Sequence, residues 1–261
     1  MPGGRPGGET RLPTGVMRRI RIQVAYDGGA FHGWQVQPGL PTIQGLLEEI
    51  LSGMEGTAVH VAGSGRTDAG VHALGQVAAF SLENPIPVPN LRRAVNRLLP
   101  PAIRVLSTEE VRCDFHPRFD AVSKTYEYRI VRTEVCSPFE WPYVHHHPYP
   151  LDERRMEEFA RVFAGEHDFS AFAASDARDA EGRSKVRTIF SSELERTGDR
   201  LVYRVRGSGF LKHMVRNIVG TLLDAGRGNL ASTTALPSRT GATAPAQGLF
   251  LMGVGYPDDR R

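Results

Sequence analysis

The 261-residue chain is 40% hydrophobic and 23% charged, globular values that provide for one large or two ordinary cores. Its two cysteines, Cys113 and Cys136, are too few and too far apart for a zinc site, and a reducing cytoplasm is the simplest setting. No apolar run approaches a membrane span, the first residues lack the apolar core of a signal peptide, and the net charge of +3 does not by itself point to nucleic acid.

Residues 1–16 are rich in Gly and Pro and read as a disordered tail. From Arg19 to Val24 the pattern alternates, with Ile20, Ile22 and Val24 on one face, so this is a half-buried strand. It runs into a turn at Asp27-Gly28-Gly29; Phe31, His32 and Trp34 beyond it serve either packing or base stacking. Thr42 caps a helix whose apolar positions Ile43, Leu46, Leu47, Ile50, Leu51 and Met54 recur at helical spacing.

The loop Gly63-Ser64-Gly65-Arg66-Thr67-Asp68-Ala69-Gly70-Val71-His72-Ala73 follows, with a guanidinium and a carboxylate two residues apart among three glycines. It lacks the Gly-Lys-Ser/Thr of a phosphate cradle, and Asp68 stands where a dinucleotide fingerprint needs glycine. A strand over 76–82, a loop with three prolines over 84–90 and a helix over 90–99 come next. Arg92, Arg93 and Arg97 on that helix form a solvated basic face or a phosphate rail.

Val122 to Ile130 alternates again, placing Lys124, Tyr126, Tyr128 and Ile130 on one face and Ser123, Thr125, Glu127 and Arg129 on the other. Three successive side chains cannot share one direction on a strand, so His145-His146-His147 reads as a surface segment and not a metal centre. Asp152 caps a helix with the stripe Met156, Phe159, Ala160, Phe163. The polar stretch 174–185 reads as a mobile insertion. A hairpin follows, with strands 186–195 and 201–206 about a turn at Gly198-Asp199. In the segment 209–220 Val215, Ile218, Val219 and Leu222 form one helical stripe; His213, Arg216, Asn217 and Gly220 form another, about 200° away. One side is core. The other presents Arg216 beside a glycine, where something can come close, and an inward guanidinium needs an anion. A last strand covers 248–254. Each half thus reads as strand, helix, two strands, helix, strand, which gives two α/β domains, 17–112 and 113–258, with antiparallel sheets and a tail at 259–261.

Several of these blocks carry a resemblance. Gly65-Arg66-Thr67-Asp68-Ala69-Gly70-Val71-His72-Ala73 is similar to the signature of the TruA-type tRNA pseudouridine synthase family. Tyr26-Asp27-Gly28 with Gly33-Trp34-Gln35, Thr42-Ile43-Gln44, Lys124-Thr125-Tyr126-Glu127-Tyr128, Asp168-Phe169-Ser170, Val186-Arg187-Thr188-Ile189, the 209–220 block and Ala244-Pro245 with Leu249 and Leu251 extend it from Met17 to Tyr256. The sequence of 174–185 departs from the family pattern.

The resemblance implies an α+β fold of two ferredoxin-like-derived domains related by a pseudo-twofold, with the active-site cleft between them. It implies isomerisation of uridine to pseudouridine in tRNA, at uridines 38, 39 and 40 of the anticodon stem-loop, by a homodimer needing no metal or cofactor. Asp68 would be the nucleophile, Arg216 would hold it charged and aimed, and Tyr126 would lie against the uracil and take a proton later in the cycle. Arg66 would fill the gap left by the flipped nucleotide or grip phosphate. Leu249 or Leu251 would floor the pocket, though core packing explains both equally well. The alternatives are a non-catalytic RNA-binding or chaperone protein of the same fold, and a hydrolase using Asp68 as general base. The abundance of Arg, 29 of 32 basic residues since only Lys124, Lys185 and Lys212 are Lys, suits RNA but equally reflects codon bias.

Overall fold

The computed structural model of the chain describes residues 16–175, 182, 184–230 and 235–257. The expected tail at 1–16 except Val16, the tail at 259–261 and much of the expected insertion at 174–185 lie outside the described residues.

Alternation does what it predicts in β1 (Arg18–Tyr26): Ile20, Ile22, Val24 and Tyr26 are buried, and Arg19, Arg21 and Gln23 are only partly covered on the opposite face. β1 pairs antiparallel with β3 (His72–Leu82) and with β4 (Ile103–Val111). The second half contributes β5 (Ser123–Val131), β7 (Gly165–Asp168), β8 (Val186–Thr197), β9 (Arg200–Gly207) and β10 (Leu249–Gly255). These form one sheet in the order β4-β1-β3-β10-β5-β9-β8-β7, with the two-residue strands β2 (Ala62–Gly63) beside β3 and β6 (His145–His146) beside β5. Every ladder is antiparallel except β10 with β3 and β6 with β5.

Four helices bury their apolar stripes in a single core together with the inward residues of the strands: α1 (Ile43–Glu55), α2 (Val88–Leu98), α3 (Glu153–Val162) and α4 (Met214–Gly226). Helices gathered on an antiparallel sheet make this an α+β architecture. The expected caps are present. Thr42 accepts from the Gly45 amide and Asp152 from the Arg155 amide, each satisfying an otherwise orphaned N–H. Helix α2 begins at Val88, two residues earlier than expected, because Pro89 sits in its first turn, where a missing N–H costs nothing. Strand β3 begins at His72, four residues early, because β10 pairs with His72 and Ala73 from the far end of the chain. No helix among the described residues is long and apolar enough to cross a membrane.

α4 is packed on both sides, as its two stripes require. Met214, Val215, Ile218, Val219 and Leu222 are core. On the other side a Cβ built on Gly220 would stand 1.9 Å from the Ala242 carbonyl oxygen, so what comes close to the glycine is the chain's own backbone. That segment continues to Ala244, whose amide donates to the Arg216 carbonyl. Gly220→Ala should therefore destabilise the fold by about 1–3 kcal/mol through overpacking, read as a lower urea midpoint. It should also lower any activity that depends on Arg216.

No group of three metal-capable side chains, at His145, His146 and His147 or elsewhere, is found among the described residues. Burial pushes both His145 and His147 down to about 4 from the ordinary 6.5, helped by their mutual proximity for His145 and by Arg227 for both. Between these limits the unfolded chain binds protons that the folded chain refuses. The stability contributed by the neutral pair is thus intact above pH 6.5 and is lost as pH falls towards 4. Urea midpoints measured between these two pH values should fall with acidification, and a His145→Gln/His147→Gln double variant should show a shallower decline.

Candidate active site

The signature loop, residues 64–71, joins β2 to β3, and its backbone is tied down from both halves of the chain. The Ser64 carbonyl accepts from Lys124 Nζ at 2.7 Å, and the Gly65 carbonyl from Gln76 Nε2 at 3.0 Å. Ser64 Oγ donates to Gln76 Oε1 at 2.6 Å. Thr67 is held twice: its hydroxyl meets Tyr26 OH at 2.8 Å, and its carbonyl accepts from the Trp34 amide at 3.1 Å. The Tyr26-to-Gln35 block therefore lies directly under the signature. Gly33, at φ +88°, passes so near that a Cβ would stand 2.5 Å from the Thr67 oxygen. Phe31 and Trp34 are buried, Trp34 also lining the cleft, and His32 is exposed beside it.

His72, the histidine of the signature, is a structural bolt. It is 1% exposed, its Nδ1 accepts from the Gly28 amide and its Nε2–H donates to the Pro142 carbonyl, both at 3.1 Å. Its ring stacks on Phe250 of β10 at 4.7 Å. Burial holds it below the ordinary histidine range despite the pull of Asp27, so it stays a neutral spacer between β3 and the 141–143 turn.

With the backbone fixed, Asp68 presents its carboxylate to a cleft of about 740 Å³, within the range of roughly 300–1,000 Å³ that suits a small-molecule-sized group. Across the cleft stands the N-terminal end of α4, the positive end of a helix dipole. Arg216 Nη1 lies 3.4 Å from Asp68 Oδ2, and His213 Nε2 lies 3.5 Å from the same oxygen. Arg216 is held in place by donation from Nε to the Ala244 carbonyl at 2.7 Å. The expected pairing of Asp68 with a guanidinium more than a hundred residues away is therefore present in the structure.

Tyr126, on the inward face of β5, lines the cleft with its ring edge-on to Phe210 at 5.1 Å. Burial, then the nearby Tyr26 and Asp68, push its phenol well above the usual range. It is consequently a neutral hydroxyl in this environment. Leu249 lines the cleft, while Leu251 pairs with Tyr126 across the ladder and is buried in the core behind it. Arg66 stands exposed at the mouth. Arg92, Arg93 and Arg97 form an exposed face of α2 away from the cleft; Arg92 folds back onto the Leu106 carbonyl and Arg93 onto Asn90.

Two neighbours were not among the sequence-derived site residues. Lys124 is drawn down to about 8 by burial, then by Arg118 and Arg187, and its ammonium clamps the loop through the Ser64 carbonyl. Its place in the Lys124-Thr125-Tyr126 block and on the Tyr126 face was the available signal. His213 was placed on a helical stripe, but it precedes the helix, in a left-handed conformation that no local pattern announces. Among the described lining residues Arg66, Arg118, Lys124, Lys212 and Arg216 are cations, and Asp68 is the one acid. Such a cleft attracts an anionic ligand and offers it a single carboxylate and an aromatic wall.

Residues 22–120 and 159–257 match the family model described as tRNA pseudouridine synthase. A protein of Solibacter usitatus named tRNA pseudouridine synthase A is 80% identical over 92% of this chain and all of its own length. One of the same name from Geobacter sp. strain M21 is 42% identical over 93% of this chain and all of its own length. The archaeal box H/ACA sRNP Nop10-Cbf5 complex aligns with 78% of this chain and 44% of its own at 14% identity and a TM-score of 0.35, too weak a likeness to bear on function. Matched along both halves, with the signature acid facing a guanidinium across a cation-lined cleft, the chain belongs to the tRNA pseudouridine synthase family.

Proposed function

We propose that this protein isomerises uridine to pseudouridine in tRNA, at positions 38, 39 and 40 of the anticodon stem-loop, with Asp68 as the nucleophile. The observation that carries the reading is the Asp68–Arg216 contact at 3.4 Å in a cleft whose other charged residues are cations. The reaction breaks the N1–C1′ glycosidic bond, turns the uracil and forms a C5–C1′ bond. C5 loses a proton and N1 gains one, so no oxidant, reductant or energy source is consumed.

A base inside a stem cannot reach Asp68, so the nucleotide is flipped into the cleft, at a cost of a few kcal/mol of unstacking. Arg66 at the mouth is suited to occupy the vacated position or to grip phosphate; a planar guanidinium does both. The neutral ring of Tyr126 and the side chain of Leu249 supply flat and apolar walls for the uracil. Arg216, anchored on Ala244, aims the carboxylate. The same reading includes a homodimer that holds tRNA across both subunits; it is supported by Val135, Phe139 and Trp141, which stand exposed on one segment. Light scattering should then return twice the chain mass of 28.7 kDa.

The decisive experiment incubates purified protein with an unmodified tRNA transcript and no added cofactor, then maps pseudouridine by carbodiimide-dependent primer extension. Stops are expected wherever the transcript carries uridine at positions 38, 39 and 40 of the anticodon stem-loop. Asp68→Asn should reduce isomerisation by at least about 10⁴-fold while leaving tRNA binding nearly unchanged. Full activity in the variant would refute the assignment of Asp68, and release of free uracil would make the protein a hydrolase.

A further inference from the structure

His213 is, among the described residues, the one non-glycine residue with a positive φ, at 61°. A left-handed backbone presses Cβ against the following carbonyl, so a residue carrying a side chain persists there only where the surroundings or the function require it. Glycine would adopt the same turn more readily. The fold gives the imidazole little reason to be there. Its side chain is 31% exposed, and its polar contact among the described residues is Asp68 Oδ2 at 3.5 Å. The charged groups around it are Asp68 from the signature loop, Arg216 from α4 and the adjoining Lys212.

Arg216 and His213 approach the same oxygen of Asp68. Oδ1 takes part in neither contact. We propose that His213 is a positioning residue: its Nε2–H and the Arg216 guanidinium together pin Oδ2, so that Oδ1 is the reacting atom. The proposal rests on the reading of Asp68 as the reacting carboxylate and adds the means by which one of its two oxygens is selected. The left-handed turn is what brings the ring over the cleft, ahead of the first turn of α4. The neutral imidazole suffices, because burial holds it below the ordinary histidine range and Nε2 then carries the donated proton. The contact, at 3.5 Å, has room to shorten in the substrate complex.

The test compares His213→Gly and His213→Gln with the parent protein in thermal unfolding and in isomerisation of a tRNA transcript. Glycine fits the backbone but removes the donor. Its Tm should equal or exceed that of the parent while kcat falls about 10- to 100-fold and KM stays unchanged. Gln, with an amide N–H in place of Nε2–H, should recover most of the lost kcat. A glycine variant as fast as the parent, a loss confined to KM, a fall in Tm that accounts for the activity loss, or a Gln variant no better than Gly would each overturn the proposal. A second measurement does not depend on turnover. NMR titration of His213 should give a lower pKa in Asp68→Asn than in the parent, because the carboxylate favours the imidazolium; an unchanged value overturns the contact itself. Failure of the parent to form pseudouridine would instead count against the proposed reaction and leave the titration to judge His213.

Discussion

A carboxylate that must meet a polyanion needs a cation that cannot leave it. Arg216 meets that condition because its guanidinium is committed at both ends: Nε is fixed on the Ala244 carbonyl, and Nη1 faces Asp68. A guanidinium 16% exposed would be very costly without such partners. The Ala244 anchor exists in turn because Gly220 lets the 241–244 segment lie against α4. The contact that defines the site is thus the last link of a chain of close packing that starts from a missing side chain.

The opposite partner is fixed in another way. Asp68 sits on a loop, and loops are mobile unless their backbone is satisfied. Here the carbonyls of Ser64, Gly65 and Thr67 each receive a donor, from Lys124, Gln76 and Trp34, and the Thr67 hydroxyl a fourth contact from Tyr26. One of those donors, Lys124, belongs to the second half of the chain. The second half of the chain therefore helps to hold both members of the pair, and β10, inserted between β3 and β5, makes the sheet continuous. Burial then sorts the remaining groups by charge. Tyr126 and His213 are kept neutral, so the charge on the cleft wall comes from arginine and lysine. This suits a site in which a planar base must be held without a competing anion.

Much of this architecture was legible from residue order. The period-two alternation of β1 and β5 named their buried faces, Thr42 and Asp152 announced their helices, and the two opposed stripes of α4 told that it would be covered on both sides. The glycine-rich loop with Arg66 and Asp68 was recognisable because nine successive residues resemble one family signature, a resemblance that lies wholly within local sequence. These features depend on side chains within a few positions of one another, where backbone geometry alone sets who is neighbour to whom.

What the chain order could not supply was everything decided by distant partners. The early start of β3 depends on β10, the clamp on Ser64 on a lysine 60 residues away, and the left-handed turn at His213 on the cleft it faces. Local propensity even argued for His213 as an ordinary helical residue. Sequence alone determined the elements that carry Asp68 and Tyr126, because those follow from local pattern, while it singled out the two residues themselves only through the family resemblance of their blocks. Tertiary structure alone decided which oxygen of Asp68 is occupied and by whom, because that depends on packing between segments that meet only once the sheet is complete.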